Sequence, residues 1–160
     1  MITLTQGNLF ESRAEALVNA VNIVGVMGKG IALQFKQKYP AMFKAYAKAC
    51  KAGELRMGKM HVYELSAAGE ASLPGIEVES ESGGRLRWII NFPTKNHFRD
   101  VEAGLTNLVE TIRRLGIQSI AIPALGCGYG GLDWIKVQPV MEKMLAGIAT
   151  EVDVLIYQPF

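Results

Sequence analysis

Seventeen glycines punctuate this chain of 160 residues, and their placement constrains its fold more than any other feature. They fall mainly in clusters between short runs rich in β-branched residues and longer runs with helical spacing. Such an alternation is typical of α/β folds, in which strands feed loops that lead into helices. Since no internal repeat or linker interrupts the pattern, we expect a single domain spanning residues 1–160.

The strand predictions rest on short apolar or alternating runs. They cover Ile2–Gln6, Ala16–Asn19, His61–Leu65, Leu86–Phe92, Ser119–Pro123 and Val152–Tyr157. Some of these strands follow one another directly, and others are joined through helices. This order predicts a mixed sheet between layers of helices, with ligand-binding loops along one edge of the sheet.

Four helices are predicted from apolar residues at helical spacing and from residues that favour helix ends. They cover Ile31–Tyr39, Pro40–Gly53, Asp100–Gly116 and Trp134–Ile148, with Asp100 as a cap and Gly116 as a stop. The second helix is predicted to turn inward the apolar stripe Phe43, Tyr46, Ala47 and Cys50. A solvated basic face is predicted for the lysines that fall mostly off this stripe, Lys44, Lys48 and Lys51.

Composition excludes several classes of protein. The chain is 49% hydrophobic and 20% charged, and its net charge of +2 forbids neither a nucleic acid nor an acidic metabolite as partner. No run approaches the roughly twenty apolar residues of a membrane helix, and the amino terminus lacks signal-peptide features. Two cysteines and two histidines, all scattered, predict neither a disulfide scaffold nor a metal site. We therefore expect a cytoplasmic protein without a bound metal.

Two glycine-rich segments each follow a predicted strand and precede a predicted helix. They are the first glycine loop, Asn22–Gly30, and the second glycine loop, Ala124–Gly131. Glycine lets backbone N–H groups turn toward an anion, and a helix amino terminus adds partial positive charge, so the pair is suited to clasp a diphosphate. Neither loop matches the glycine motifs of kinases or dehydrogenases. Taken alone, a loop of this type is more often a turn than a binding site.

Polar side chains follow the ends of two predicted strands. Asn19 and Asn22 can bond ribose hydroxyls or cap the loop, and their spacing favours neither interpretation. Lys95 follows another strand, beside the segment His97–Arg99. Such a lysine acts as a base or nucleophile only if its pKa is lowered, and it is otherwise a solvated loop residue.

Together these segments resemble the macrodomain family nearly end to end. The resemblance is carried by Gly7–Leu9, Asn19–Asn22, Gly25–Ala32 and Pro123–Gly128. Within the family, Asn22–Phe35 and Asn91–Lys95 are most similar to the branch that contains the terminal ADP-ribose glycohydrolase and the DarG-like antitoxins. The resemblance implies a three-layer α/β/α fold with a mixed central sheet, which binds ADP-ribose in a cleft at the sheet edge and uses no cofactor.

The same resemblance implies a role for each segment. Asn8 would contact the adenine at a position where the family usually has aspartate, and Asn22 would contact the ribose next to the scissile bond. The two glycine loops would hold the phosphates from opposite sides. The residues implied to bind ADP-ribose are Gly7, Asn8, Leu9, Asn19, Gly25, Gly28, Lys29, Gly30, Ile31, Pro123, Leu125, Gly126, Cys127, Gly128, Tyr129 and Gly130.

Catalysis is implied for Lys95, assisted by Asn22. In the DarG-like branch the lysine at this position removes ADP-ribose that a DarT-like ADP-ribosyltransferase toxin attaches to thymine in single-stranded DNA. Attack, proton transfer and electrostatic polarisation all remain possible roles for Lys95. His97, Phe98 and Arg99 are the candidates for DNA contact.

One departure from the branch concerns its protein-directed glycohydrolase. That enzyme has an acid in the second loop where this chain has Gly130. Asp133 is a nearby acid, but its position before Trp134 is better explained as a helix cap.

The leading hypothesis is therefore an ADP-ribosyl glycohydrolase that acts on thymine-linked ADP-ribose in single-stranded DNA, as antitoxin to a DNA-modifying toxin. A non-catalytic ADP-ribose reader would use the same cleft without turnover. A hydrolase of protein-linked or free ADP-ribose derivatives, such as a deacylase or phosphatase, would carry out a different reaction there. No membrane partner is expected.

Overall fold

The computed structural model describes residues 1–65, 86–94 and 97–159, and these contain one six-stranded mixed sheet. The strands are β1 (Ile2–Thr5), β2 (Ala16–Val21), β3 (His61–Glu64), β4 (Trp88–Pro93), β5 (Ser119–Ile122) and β6 (Asp153–Tyr157). Their order across the sheet is β1-β6-β5-β2-β4-β3. Every neighbouring pair is parallel except β3 with β4, so the predicted mixed sheet is confirmed.

The four predicted helices are confirmed with small changes at their ends. They are α1 (Gly30–Lys38), α2 (Pro40–Lys51), α3 (Phe98–Leu115) and α4 (Trp134–Leu145). A 3₁₀ turn, Ala146–Ile148, completes the segment predicted for the last helix, and a second one, Leu9–Glu11, follows β1. Asp133 caps α4 as predicted, because its Oδ1 accepts a hydrogen bond of 3.0 Å from the backbone N–H of Ile135.

The predicted start of α3 is wrong. His97, not Asp100, occupies the cap position, and the backbone N–H of Asp100 donates to the His97 carbonyl at 3.1 Å. The helix begins earlier because Phe98 packs against the hydrophobic core and contributes to its first turn. Asp100 lies within that turn, where the partial positive charge of the helix end still favours a carboxylate. At the other end, Gly116 adopts the left-handed conformation expected of a stop residue.

Two hydrophobic clusters on opposite faces of the sheet produce three layers. Helices α3 and α4 cover one face, and α1 and α2 cover the other. Because successive side chains of a strand point to opposite faces, neighbouring residues of β2 serve different layers. Val18 is buried in the α3 and α4 cluster, whereas Leu17 is buried in the α1 and α2 cluster. The α/β/α architecture is therefore confirmed.

The apolar stripe predicted for α2 is partly wrong. The buried residues are Met42, Tyr46 and Ala49. Phe43, Ala47 and Cys50 are only half-buried, since one side of the helix is covered by the first glycine loop instead of the sheet. The predicted solvated face is confirmed, with exposed side chains at Lys44, Lys48 and Lys51.

No helix in the described ranges combines the length and the hydropathy that a bilayer crossing requires.

Candidate functional site

A cleft of about 1020 Å³ opens at the carboxyl ends of the parallel strands. Five of the six strands run in the same direction, so the loops that follow them meet at one edge of the sheet. The cleft is lined by the segments 7–10 after β1, 20–22 at the end of β2, 26–34 in and after the first glycine loop, residue 94 after β4, 123–130 after β5, and 157–159 at the end of β6. Some positions within these ranges do not line the cleft. The topology alone therefore gathers both glycine loops into one site.

The first glycine loop is held in shape by the side chain of Asn22. Its Oδ1 accepts a hydrogen bond of 3.1 Å from the Val24 backbone N–H, and its Nδ2 donates at 2.8 Å to the Val26 carbonyl. Asn22 also lines the cleft. The two interpretations of this residue, loop cap and ligand contact, are therefore compatible in one position.

Tyr46 supports the same carboxamide from below. Its hydroxyl donates to Asn22 Oδ1 at 2.5 Å and lies 2.8 Å from the Asn22 carbonyl oxygen. The side chain has no solvent exposure, and burial, followed by the neighbouring Cys50, raises the pKa of the phenol well above its usual range. Tyr46 thus remains a neutral hydrogen-bond donor and ties the first glycine loop to α2.

The second glycine loop is packed against its own backbone. Leu132 N–H donates to the Gly126 carbonyl at 2.9 Å, and Gly131 N–H donates to the Gly128 carbonyl at 3.1 Å. A Cβ atom on Gly130 would lie 2.6 Å from the Gly126 oxygen, which is closer than real Cβ atoms approach. Only glycine therefore fits at 130 without movement of the backbone, and no carboxylate can be carried there.

The two loops meet across the cleft. A Cβ atom on Gly30 would lie 3.3 Å from the ring of Tyr129, and Lys29 Nζ is 5.5 Å from the centre of that ring. Tyr129 itself is 80% exposed. The Tyr129 ring of the second glycine loop thus covers the amino terminus of α1, which begins where the first glycine loop ends.

The charge of the cleft suits an anion. Among the described residues that line it, Lys29 is the one cation, and there is no carboxylate. Helix α1 begins at Gly30 without an acidic residue in its first turn, so its partial positive charge is uncompensated. A diphosphate placed between the two loops would meet backbone N–H groups, a helix amino terminus and one ammonium group.

The end of the cleft near β1 is shaped by Asn8. Its Oδ1 accepts a hydrogen bond of 3.0 Å from the Phe10 backbone N–H and so caps the turn Leu9–Glu11. Tyr157, opposite, has its pKa raised by burial and secondarily by Glu11. Both sides of this end are therefore uncharged.

A row of polar side chains, two of them buried and one half-buried, lies beneath the first glycine loop. Asn19 and Asn91 are paired across β2 and β4, and Asn19 Nδ2 donates to Asn91 Oδ1 at 3.1 Å. Asn91 Nδ2 lies 3.0 Å from Nδ1 of His61 on β3, and Asn19 Nδ2 is 3.7 Å from the sulfur of Met27 in the loop. Burial lowers the pKa of His61 despite the opposing effect of Glu54, so its neutral ring accepts from Asn91.

The structure brings most of the predicted ligand residues to the cleft. Those that line it are Gly7, Asn8, Leu9, Asn22, Gly28, Lys29, Gly30, Ile31, Pro123, Gly126, Gly128, Tyr129 and Gly130. Four others lie behind the wall: Asn19, Gly25, Leu125 and Cys127. Asn19 and Leu125 have no solvent exposure, and Gly25 packs against α2. Cys127 Sγ contacts the Leu125 carbonyl, and burial, followed by Asp133, raises the pKa of its thiol to about 11.

The predicted catalytic residue Lys95 lies outside the described residues. Thr94, which directly precedes it, lines the cleft, and its backbone N–H donates to the Val21 carbonyl at 2.9 Å. The three DNA candidates do not line the cleft. His97 and Arg99 are exposed, while Phe98 is half-buried against the core.

Several residues that line the cleft were not predicted as site residues. They are Phe10, Ala20, Val21, Val26, Ala32, Gln34, Thr94, Ala124, Tyr157, Gln158 and Pro159. Most flank predicted residues, but Tyr157–Pro159 come from the closing strand, which was predicted only as part of the sheet. The parallel pairing of β6 with β1 was the missing information, because it places the end of β6 beside Asn8.

The family model for the Macro domain matches residues 18–141. The chain is 47% identical over 165 residues to the "DNA ADP-ribosyl glycohydrolase" of Mycobacterium tuberculosis, a match that covers 99% of this chain and 42% of that protein. The chain thus spans less than half the length of this curated relative.

Two solved structures are similar over the whole chain. The macrodomain of Mycobacterium tuberculosis DarG has a TM-score of 0.85 and 44% identity, covering 100% of this chain and 99% of that one. Thermosipho africanus DarTG in complex with ADP-ribose has a TM-score of 0.84 and 38% identity, covering 99% of this chain and 42% of that one.

Proposed function

Because the chain belongs to the Macro domain family, we propose that it is a glycohydrolase that removes ADP-ribose from ADP-ribosylated thymine in single-stranded DNA. The observation that carries the proposal is the cleft itself, in which two glycine loops meet across an uncompensated helix amino terminus. The identity of 47% to a relative named "DNA ADP-ribosyl glycohydrolase" supports DNA as the substrate, and the resemblance to the DarG-like branch supports thymine in a single strand.

ADP-ribose lies along the cleft in one direction in this proposal. The adenine is at the end formed by Asn8 and Leu9, and the diphosphate lies between the two glycine loops. The ribose that carries the thymine is at Asn22, whose carboxamide is oriented by Val26 and Tyr46. A carboxamide held in this way contacts a ribose hydroxyl without first losing rotational freedom, which favours correct placement of the anomeric carbon.

Lys95 acts at that anomeric carbon. Hydrolysis breaks the bond from carbon to thymine, and water supplies the hydroxyl to the ribose and the proton to the base. An ammonium group donates a proton to the departing base or stabilises its developing charge. A neutral amine instead bonds to the anomeric carbon of the ring-opened ribose, the base leaves with a proton, and water hydrolyses the resulting imine to release ADP-ribose and the free amine. The absence of any carboxylate in the described lining favours a lysine as the reacting group over an acidic one.

The second loop argues against a glutamate-directed mechanism of the kind that needs an acid there. Gly130 occupies the corresponding position and has no room for a side chain. Asp133 is engaged as the cap of α4.

The proposed partner is a toxin that ADP-ribosylates DNA, and the proposed location is the cytoplasm, where that DNA is found.

The test offers two substrates to the protein, a thymine-ADP-ribosylated single-stranded oligonucleotide and an ADP-ribosylated glutamate peptide, and measures released ADP-ribose. We expect release from the DNA alone. Lys95→Ala should lower the rate about 10²-fold or more, the range typical of a lost acid–base group, with little change in ADP-ribose affinity. Lys143→Ala, an exposed lysine at the far end of α4, is the matched control and should behave as wild type.

A non-catalytic reader is the second candidate, favoured by one observation. The described lining consists of backbone, amide and aromatic groups with a single cation, which are groups that bind rather than react. Tight ADP-ribose binding without release from either substrate would establish the reader. Release from acetylated or phosphorylated ADP-ribose instead would assign a hydrolase of free derivatives.

A further inference from the structure

Charge is strongly segregated along this chain. The segment 16–53, which contains β2, the first glycine loop, α1 and α2, holds six lysines and none of the fifteen aspartates and glutamates. The lysines are Lys29, Lys36, Lys38, Lys44, Lys48 and Lys51. The small net charge of +2 for the whole chain therefore hides a basic region and an acidic remainder.

Stabilisation of the helices does not account for this segregation. Lysines in the last turns of α1 and α2 interact favourably with the helix dipole, but the same effect favours acids in the first turns. Neither α1 nor α2 has an acid there, whereas α3 has Asp100. Acidic residues are thus missing from positions where they would stabilise the fold, which points to a polyanion outside it.

Three of the lysines form one exposed stripe. Lys44, Lys48 and Lys51 are spaced by four and three residues, so they share the face of α2 opposite its buried residues. Among the described residues none of the three forms an ion pair. The stripe is about 10 Å long at 1.5 Å per residue, which is enough for two or three phosphates of an extended strand.

The stripe belongs to the helix that carries the reactive end of the cleft. Tyr46 of α2 holds Asn22, and Gly25 of the first loop packs on Ala47 and Cys50 of the same helix. On that loop, Val24 is 72% exposed and offers an apolar contact to a base or deoxyribose.

We infer that α2 and the first glycine loop form a docking surface for single-stranded DNA, with Lys44, Lys48 and Lys51 on the phosphates. The surface rests on the proposed function, because it would present a modified nucleotide to the Asn22 end of the cleft. It is proposed in addition to His97, Phe98 and Arg99, the candidates for DNA contact from the sequence.

The test measures binding of an unmodified, fluorescent thymidine-rich oligonucleotide over a range of salt concentrations. Replacing Lys44, Lys48 and Lys51 together with Gln should weaken binding at least about tenfold at low salt. It should also reduce the slope of log affinity against log salt by about 2, since each lost phosphate contact contributes about 0.7 for a single strand. The matched control replaces Arg13, Arg114 and Lys143, which are exposed outside this segment, and should leave the slope unchanged.

Kinetic measurements distinguish a failure of this inference from a failure of the proposed function. The α2 triple variant should raise KM for the ADP-ribosylated oligonucleotide while kcat and the affinity for free ADP-ribose stay the same. Equal loss in both triple variants, or no change in either, would overturn the docking surface even if DNA is deglycosylated. A wild type that binds DNA through these lysines but releases nothing would overturn the proposed function and keep the surface.

Discussion

The two glycine loops face the same cleft but are built by different means. The second loop is compact because its glycines allow backbone to approach backbone, with the Gly126 oxygen in the space that a Cβ of Gly130 would need. The first loop is more open and is fixed by side chains, namely the Asn22 carboxamide and the Tyr46 hydroxyl. One loop is therefore specified by the absence of side chains and the other by hydrogen bonds from side chains.

This difference predicts how each loop fails. A turn packed against its own backbone has no space for an added methyl group, so a substitution there forces the backbone to move. A hydrogen-bonded loop loses individual bonds, so substitution there acts in smaller steps that couple the loop to α2. The predictions below separate these two behaviours.

The largest effect is expected in the second loop. Gly130→Ala should weaken ADP-ribose binding about tenfold or more, because the new Cβ displaces the backbone that surrounds the ligand at a cost of about 1–3 kcal/mol. Gly128→Ala provides the comparison, since a Cβ there has no atom within 4 Å, and it should cause a smaller loss. Calorimetric titration with ADP-ribose measures both. Equal losses would mean that the compact backbone is not what the loop requires.

A smaller effect is expected for the support of the first loop. Tyr46→Phe removes the hydroxyl donor to Asn22 and should lower the free energy of unfolding by about 1 kcal/mol, with a drop in Tm of about 2–4 °C. If Tyr46 acts on turnover through Asn22, its substitution should reduce kcat in the wild type but not further in an Asn22→Ala background. Additive losses in this double-mutant cycle would contradict the coupling.

The smallest effect is expected when the pH is lowered. Burial lowers the pKa of His61 below its usual 6.5, so the unfolded chain binds a proton more readily than the fold does. The stability contributed by neutral His61 is therefore complete above about pH 6.5 and is lost as the pH falls toward the lowered pKa. Urea unfolding between pH 5 and 8 should show this loss.

A histidine substitution sharpens that measurement. His61→Gln should flatten the pH dependence. Amide signals of the first loop should move with pH more than those of the second loop, because only the first lies above the Asn19, Asn91 and His61 row. Identical shifts in both loops would show that the row does not act locally.

The sheet, its helices and the cleft wall could be predicted because they follow from local patterns. Alternation marks strands, apolar spacing marks helices, and glycine clusters mark the loops between them. Gly116 stops α3 for a purely local reason, and its prediction was correct. Asp100 was misplaced because Phe98 extends α3 through a tertiary contact that no local pattern contains.

The supporting contacts of the site could not be predicted for the same reason. Tyr46 was predicted as an apolar residue, and it is buried, but its hydroxyl finds Asn22 only when α2 folds onto the loop. The resemblance implied that Asn19 contacts the ligand, and spacing alone cannot distinguish the cleft wall from the layer behind it. Its pairing with Asn91 depends on the parallel register of β2 and β4.

The parallel pairing of β1 with β6 determines where a probe can be attached. Met1 lies at the edge of the sheet opposite the cleft, with its amino group donating to the Val152 carbonyl at 3.0 Å. Gln158 and Pro159 follow β6 at the carboxyl ends of the strands and line the cleft itself. A fluorophore placed at position 158 would thus report on occupancy of the end of the cleft that Asn8 lines, whereas immobilisation at position 1 would leave the cleft accessible to the analyte in a surface-based sensor.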